Sequence, residues 1–187
     1  MKARGPGEVR IIAGQWRRSR LPVADRPGLR PTPDRVRETL FNWLGPDLSG
    51  CRVLDAFAGS GALGFEAGSR GAARVVMLER DAELCRLLQE SCRRLQAQTL
   101  QIEQTDALVW MRRAAAQAEA AFDLVLLDPP FDAGLFAPAL EAAVPLLRPQ
   151  GRLYLEAPAQ WTDEVPGAVL HRHLKAGAVH AHLWIKE

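Results

Sequence analysis

The spacing of apolar and polar positions changes several times along the chain, and the changes predict strands and helices in alternation. From residue 51 onward, short apolar runs typical of buried strands alternate with longer segments in which apolar side chains recur every three or four residues. The predicted strands span residues 51–57, 74–79, 99–104, 122–127 and 152–156. Such alternation is typical of a parallel sheet joined by crossover helices.

The intervals between these strands predict four helices, which begin near Ser60, after the capping residue Asp81, at Ala107 and near Phe136. The third is expected to reach about residue 120, and the fourth to end at 148–151. The last two segments, 168–175 and 178–186, predict an antiparallel hairpin. The pattern therefore predicts an α/β fold of doubly wound, Rossmann-like type, with a seven-stranded, mostly parallel sheet that ends in an antiparallel hairpin.

Residues 1–31 have a different character, because they are rich in Gly, Pro and Arg. One apolar island at 9–12 predicts a single small strand, so we expect an arm with little regular structure. At Thr32 and Pro33 the pattern changes: Thr32 can cap a helix and Pro33 suits its first position. The helix presents one apolar face, made of Val36, Leu40, Trp43 and Leu44.

Composition and length indicate one globular domain. The chain has 187 residues, of which 48% are hydrophobic and 25% are charged. No apolar run approaches the roughly 18 residues of a membrane span, so we expect a cytoplasmic protein with no membrane partner. Its three cysteines lack C-x-x-C spacing, which argues against a disulfide framework or a zinc ribbon.

The basic residues are concentrated near the N-terminus. Residues 1–37 hold ten basic and three acidic side chains, a local net charge of +7, although the whole chain is only +2. Nine of the ten are arginines, which bind phosphate in bidentate fashion, and Trp16 lies among them as a stacking surface. The pattern favours a nucleic-acid partner over a merely solvated tail. The candidate RNA contacts are Arg17, Arg18, Arg20, Arg30, Thr32, Arg35 and Arg37.

A glycine-rich turn after the first predicted strand indicates a nucleotide-binding corner. Gly59 and Gly61 can adopt positive φ and let backbone N–H groups approach a ligand. Asp55, which ends the strand, disfavours a pyrophosphate and favours a cationic ligand such as S-adenosylmethionine. The alternative is that Asp55 only caps the turn. We assign Phe57, in the same turn, to the cofactor site as well.

Further acids stand at the ends of the next predicted strands, where doubly wound sheets bind their ligands. Glu79 can accept both hydroxyls of an adenosine ribose. Asp106 can accept from the adenine amino group, although it suits the role of a helix cap equally well. Asp128 ends the fourth predicted strand of the sheet.

The tetrapeptide Asp128-Pro129-Pro130-Phe131 indicates the type of reaction. Two prolines fix the backbone and leave its carbonyls without neighbouring N–H donors. Hydrogen bonds from an exocyclic base amine to Asp128 and to the Pro129 carbonyl would favour a pyramidal nitrogen with its lone pair aimed at a methyl donor. Phe131 would stack on the base. The alternative is a rigid turn that ends a buried strand.

The motifs 55–61 and 128–131, together with the segment 30–44, resemble the RsmD-type methyltransferases. These bacterial enzymes methylate the N2 amine of a guanine in small-subunit (16S) ribosomal RNA. The resemblance implies that Gly59, Gly61, Glu79 and Asp106 bind S-adenosylmethionine and that residues 128–131 hold the base. Ala13 and Arg18 depart from it, because they stand where glycines are usual, and 158–167 leaves little room for a helix.

We therefore predict a basic RNA-binding arm at 1–31 and a methyltransferase domain at 32–187, acting as a monomer on 16S ribosomal RNA, either naked or within an assembling 30S particle. The nearest rival is a DNA methyltransferase acting on adenine N6 or cytosine N4. A NAD-dependent dehydrogenase would leave residues 128–131 unexplained, and a non-enzymatic RNA-binding module would not need the acids at the strand ends. No metal is expected, because no Cys or acid completes a zinc set with His171, His173, His180 and His182.

Overall fold

A computed structural model of the protein describes residues 7–26, 32–117 and 121–187. The strands in these ranges are β1 (Gly7–Arg10), β2 (Arg20–Val23), β3 (Arg52–Asp55), β4 (Arg74–Glu79), β5 (Leu100–Gln104), β6 (Phe122–Leu127), β7 (Leu147–Ala157), β8 (Ala168–Ala176) and β9 (Val179–Lys186). The helices are α1 (Asp34–Leu44), α2 (Ala62–Ser69), α3 (Ala82–Leu95), α4 (Ala107–Ala116) and α5 (Phe136–Ala143). No helix among them is both long and apolar enough to cross a bilayer.

The main sheet has seven strands in the order β5-β4-β3-β6-β7-β9-β8. Strands β3 to β7 pair in parallel, whereas β9 pairs antiparallel with both β7 and β8. The strand order reverses between β3 and β6, and a crevice at such a switch point is where doubly wound sheets bind ligands. The predicted fold class is thus confirmed.

Two helical layers cover the sheet. Successive residues of a strand point to opposite faces, so Val53 packs into one core cluster and its neighbour Leu54 into the other. The first cluster includes side chains of α1, α2 and α3, and the second includes side chains of α4 and α5. This division places α1 on the same face as the glycine-rich turn.

The structure corrects the prediction for residues 144–151. Helix α5 ends at Ala143, a 3₁₀ turn covers Val144–Leu146, and β7 begins at Leu147 instead of residue 152. Proline lacks the N–H that a helix interior requires, so Pro145 and Pro149 do not extend the helix. Leu147 instead pairs with Phe122 of β6. Strands β4 and β6 have the predicted bounds, while residues 118–120 lie outside the described chain.

The N-terminal arm also differs from the prediction. Strands β1 and β2 form an antiparallel hairpin, and the alternating side chains Val9, Ile11, Leu21 and Val23 are buried in the first core cluster. Residues 7–26 are therefore a packed part of the domain and not an arm with little regular structure. Arg18 has a φ of 71°, a left-handed conformation that favours glycine.

Candidate active site

The glycine-rich turn after β3 has the expected backbone conformation. Gly59 and Gly61 have φ values of 53° and 83°, and a Cβ on Gly61 would lie 2.6 Å from a methyl carbon of Leu88. The N–H of Gly59 donates to Glu79 Oε2 at 2.9 Å, and the N–H of Asp81 donates to Oε1 at the same distance. Glu79 therefore ties the turn to the end of β4 while each carboxylate oxygen keeps a second acceptor position.

Asp55 is buried under this turn. Its Oδ2 accepts from the N–H of Gly64 at 2.9 Å, while Oδ1 has no hydrogen-bond partner among the residues that the structure describes. Burial raises the pKa of Asp55 to about 7, and the nearby charges of Glu79 and Glu156 act in the same direction. One buried oxygen that lacks a donor makes this carboxyl a candidate partner for a cationic group.

Two further residues assigned to the cofactor have structural roles of their own. Asp106 precedes α4, and its Oδ1 accepts from the N–H of Val109 at 3.0 Å, so the helix-cap alternative is observed. Phe57 is half-buried and packs against the second core cluster. These roles leave Asp106 Oδ2 and the exposed part of the Phe57 ring for a ligand.

Asp128 lies just beyond the end of β6. It is half-buried, and the hydroxyl of Thr32 donates to its Oδ2 at 3.4 Å. Burial raises the pKa of Asp128 well above its usual range, and the charges of Glu156 and Asp55 add to the effect. Asp55 pairs with Leu126 across β3 and β6, so the two acids stand at neighbouring strand ends.

The rest of the tetrapeptide forms a partly exposed surface beside this acid. Pro129 is buried, Pro130 is exposed, and the Phe131 side chain is 40% exposed. The Phe131 ring centroid lies 6.2 Å from that of Phe136, at an angle of 53°. An exposed aromatic ring held by a second one can offer a face for stacking.

Glu156 is a member of this cluster that the sequence pattern did not single out. It is 2% exposed and accepts from the hydroxyl of Tyr154 at 3.0 Å. Burial raises the pKa of Glu156 to about 7. The rule that selected the other strand ends applies to Glu156 too, because it stands near the end of β7, the strand that follows β6 in the sheet.

Among the predicted RNA contacts, Arg17, Arg18, Arg20 and Arg35 are exposed. The N–H groups of Gln15 and Trp16 bond to Ser69, the last residue of α2, so the turn between β1 and β2 lies at that end of the helix. The glycine-rich turn lies at the other end, roughly 12 Å away for a helix of eight residues. Arg30 lies outside the described residues.

The structure contradicts two of the predicted RNA contacts. Arg37 is fully buried, donates to the Thr32 carbonyl at 3.2 Å and to Asp34 at 2.5 Å, and lies 3.6 Å from Glu66. Thr32 is also buried, with its hydroxyl on Asp128 instead of capping α1. Both side chains point into the protein, where Thr32 contacts Asp128 beyond β6 and Arg37 contacts Glu66 of α2.

Trp16, predicted as a stacking surface for bases, is half-buried. Its ring packs edge-on against Phe65, with centroids 6.2 Å apart, and it contacts the first core cluster. The space that admits it comes from Gly68, where a Cβ would lie 3.0 Å from the indole. Trp16 therefore anchors the β1–β2 hairpin to α2.

Three of the four C-terminal histidines, His173, His180 and His182, form a stack. His173 Nε2 and His180 Nδ1 are 2.9 Å apart, and His182 is buried, with Nε2 accepting from the N–H of Trp161 at 2.9 Å. Burial lowers the pKa of His182 to about 4, so it is neutral at physiological pH. The described residues contain no group of three or more His, Cys, Asp or Glu side chains arranged to hold a metal ion.

Comparison with known proteins gives relatives along almost the whole chain. A family model described as "Conserved hypothetical protein 95" matches residues 9–185. The Escherichia coli K12 protein named Ribosomal RNA small subunit methyltransferase D is 42% identical, covering 98% of this chain and 92% of its own length. The Haemophilus influenzae protein of the same name is 41% identical, with 89% and 93% covered.

Solved structures agree with this relationship. The putative methyltransferase yhhF from Escherichia coli superimposes with a TM-score of 0.86 at 39% identity, covering 97% of this chain and 99% of that one. The Thermus thermophilus 16S rRNA N2 methyltransferase RsmC, solved with AdoMet and guanosine, shares the fold, with a TM-score of 0.75 at 24% identity over 97% of this chain and 50% of that one. The family model and the most similar relatives both span nearly the full length of this chain. The chain therefore belongs to the RsmD-type methyltransferase family.

Proposed function

We propose that this chain transfers a methyl group from S-adenosylmethionine to the exocyclic N2 amine of a guanine in 16S ribosomal RNA. The observation that carries the proposal is the meeting of two corners at neighbouring strand ends. Asp55 with its glycine-rich turn ends β3, and the Asp128–Phe131 corner follows β6. One corner suits a cationic nucleoside and the other a base amine, so a methyl donor and its acceptor would meet between them.

The residues of the first corner fit S-adenosylmethionine. The buried Oδ1 of Asp55 lacks a donor among the described residues, and a cationic ligand would relieve the cost of ionising this carboxyl. Glu79 keeps free lone pairs for ribose hydroxyls after it has bound two backbone N–H groups. Gly59 and Gly61 allow the backbone to approach a ligand. Phe57 and Asp106 would complete the site around the adenine.

The second corner would hold the guanine. Asp128 and the Pro129 carbonyl would accept the two hydrogens of the amine, and Phe131 would stack on the ring. A carboxylate in these surroundings is a stronger base than an ordinary aspartate, because burial and neighbouring acids raise its pKa. Asp128 can therefore also take the proton that the amine must lose.

When bound, the cofactor supplies an activated methyl group on a sulfonium that leaves as a neutral thioether. The amine nitrogen would bond to the methyl carbon as the carbon–sulfur bond broke and left its electron pair on sulfur. Asp128 accepts one amine proton and passes it to solvent. The protein contributes mainly position, because the Pro129-Pro130 backbone and the buried strand β6 hold the acceptors rigidly.

The RNA partner would contact the exposed arginines of the β1–β2 hairpin and of α1. Arg17, Arg18, Arg20 and Arg35 can pair with phosphates, while Arg30 remains a proposed contact outside the described residues. Because the hairpin turn and Asp128 lie near opposite ends of α2, RNA that contacts both must extend along the domain. We propose a monomeric, cytoplasmic enzyme that acts on the RNA alone or in an assembling 30S particle.

The decisive experiment identifies the product. Purified protein is incubated with cofactor carrying a labelled methyl group and with 16S ribosomal RNA, 30S particles or DNA, and the nucleosides are analysed by mass spectrometry. We expect label in N2-methylguanosine from RNA or particles. Label in N6-methyladenine or N4-methylcytosine of DNA would support the rival methyltransferase, and absence of label from every nucleic acid would reject the proposal.

A further inference from the structure

We infer that Thr32 and Glu156 are positioning residues for Asp128: the hydroxyl of Thr32 orients its carboxyl, and the carboxyl of Glu156 lies beside it. This inference rests on the proposed function, because it assigns Asp128 to the target amine. It concerns two residues that meet only in the folded chain. Thr32 precedes α1, and Glu156 lies near the end of β7.

Thr32 is held in place from both sides. Its side chain is buried, and its carbonyl oxygen accepts from Nε of Arg37 at 3.2 Å. Its hydroxyl donates to Oδ2 of Asp128 at 3.4 Å, across 96 residues of sequence. With Oδ2 engaged, the other oxygen of Asp128, Oδ1, is left for the amine. Thr32 therefore selects which carboxylate oxygen faces the substrate.

Glu156 lies beside Asp128 because of the strand register. Leu127 of β6 pairs in parallel with Leu155 of β7, so the next residue of each strand is an acid. Glu156 is itself fixed, because the hydroxyl of Tyr154, two residues earlier on the same face of β7, donates to its Oε1 at 3.0 Å. The two carboxyls therefore lie side by side, and the charge of Glu156 raises the pKa of Asp128.

Glu156 is more readily ionised than Asp128. The hydroxyl of Tyr154 donates to it and the guanidinium of Arg37 favours its charge, whereas the charge of Glu156 raises the pKa of Asp128. Burial and mutual repulsion favour one proton on such a pair. That proton therefore lies mainly on Asp128, and the hydroxyl of Thr32 orients the carboxyl, which must lose this proton before it can accept from the amine.

Several titratable or charged groups face Glu156 from the elements around it. They are Asp55 on β3, Asp128 beyond β6, Tyr154 on β7 and Arg37 on α1. The acids repel one another, whereas the guanidinium of Arg37 favours ionised Glu156. Neutralising Glu156 without changing its shape would remove one repulsion from Asp128, so Asp128 would ionise at lower pH.

The first test compares Thr32→Val with Thr32→Ser in steady-state methylation. The valine keeps the shape without the hydroxyl, so we expect kcat to fall about 10- to 100-fold with little change in KM for RNA, while serine retains most of kcat. Thr39→Val is the matched control, because the hydroxyl of Thr39 bonds only to the exposed backbone carbonyl of Arg35 on α1. Equal activity of Thr32→Val and Thr39→Val would overturn the inference.

The second test uses Glu156→Gln. Glutamine keeps the shape of Glu156 but cannot ionise, so the acid limb of the kcat profile should move to lower pH. An acid limb that does not move would contradict the role of Glu156. A purely structural role would alter stability and leave the profile where it is.

A third measurement does not depend on turnover. Carboxyl ¹³C NMR titration of the free protein, with Asp128→Asn used for assignment, reports the ionisation of Asp128 directly. Thr32→Val should raise the pKa of Asp128, and Glu156→Gln should lower it. If these shifts occur in a protein that methylates no nucleic acid, the proposed function fails and the coupling of Thr32 and Glu156 to Asp128 stands. If wild type methylates RNA and neither shift occurs, the inference alone fails.

Discussion

Arg37 and Glu66 form an ion pair in which neither side chain is exposed, with 3.6 Å between Nη1 and Oε2. Glu66 also accepts from the N–H groups of Ile12 and Ala13, at 2.8 and 3.1 Å. Arg37 in turn donates to the Thr32 carbonyl, next to the hydroxyl that contacts Asp128. The pair thus links the β1–β2 hairpin to the corner at Asp128 through buried groups.

Breaking this pair should destabilise the protein. Arg37→Ala empties the buried site of this side chain and removes one of two arginines beside Glu66, because Arg70 Nε still donates to Oε1 at 2.9 Å. We expect the free energy of unfolding to fall by about 1–3 kcal/mol in urea denaturation. Arg35→Ala, two residues away on the exposed side of α1, should change it by less than about 0.5 kcal/mol. Equal and small effects would contradict a structural role for Arg37.

Cofactor binding should release a proton from Asp55. A cation beside the carboxyl favours its ionised form and lowers a pKa that is about 7 in the free protein. Affinity for S-adenosylmethionine should therefore decrease as the pH falls below 7, by at most about tenfold per pH unit. Calorimetry in two buffers of different ionisation enthalpy measures the proton release, which Asp55→Asn should abolish. Binding that is independent of pH between 5 and about 8 would contradict a cationic partner for Asp55.

Substitutions in the Asp128–Phe131 corner should slow methyl transfer without weakening cofactor binding. Asp128→Ala should lower kcat by about 10²- to 10⁴-fold while leaving the calorimetric affinity for the cofactor near that of wild type. Phe131→Leu should have a smaller effect, because part of the stacking area remains. Near-normal turnover in Asp128→Ala would assign the acid to structure alone.

The hairpin arginines should determine how RNA binding depends on salt. Replacing Arg17 with Ala and Arg18 with Gly should make the slope of log affinity against log salt shallower by about 0.7–0.9 for each phosphate that the variant no longer neutralises. Glycine is chosen for residue 18 because the φ there is 71°. The matched control replaces Arg112 and Arg113, which are exposed on α4 at the opposite face of the sheet. If both double variants gave the wild-type slope, the hairpin charges would not bind phosphate.

Gly14 should be essential for docking the hairpin on α2. A Cβ at Gly14 would lie 1.9 Å from the Ser69 carbonyl oxygen, which accepts from Gln15 N–H at 2.8 Å. Gly177 also has positive φ, but a Cβ there would meet no atom within 4 Å. Gly14→Ala should therefore lower the free energy of unfolding by about 1–3 kcal/mol more than Gly177→Ala, as measured in urea. Equal losses would mean that only the backbone conformation matters.

A test of cofactor binding at the glycine-rich turn or at Glu79 needs a conservative variant. Gly61→Val would push against Leu88 and Phe65 as well as any ligand, so weaker binding would also follow from disturbed packing. Glu79→Ala would likewise remove the acceptor of two backbone N–H groups. Glu79→Gln keeps an acceptor and is the more informative change.

Local sequence patterns determined the elements that form the site. The apolar runs of β4 and β6 define those strands in full, since a buried parallel strand needs little beyond its own side chains to be recognised. The positive φ values of Gly59 and Gly61 likewise follow from residue type. The acids at the ends of three predicted strands lie at one edge of the sheet, because parallel strands end at the same edge. The motifs that contain these acids indicate the family.

Only the tertiary structure decided which way the side chains around that edge point. Arg37 is of a residue type that often binds phosphate, yet Glu66 and the Thr32 carbonyl hold its side chain inside the protein. Glu156 joins the site through the register of β6 with β7, and Thr32 reaches Asp128 across 96 residues. Such relationships depend on packing between distant segments, and local periodicity carries no information about which buried charges will meet.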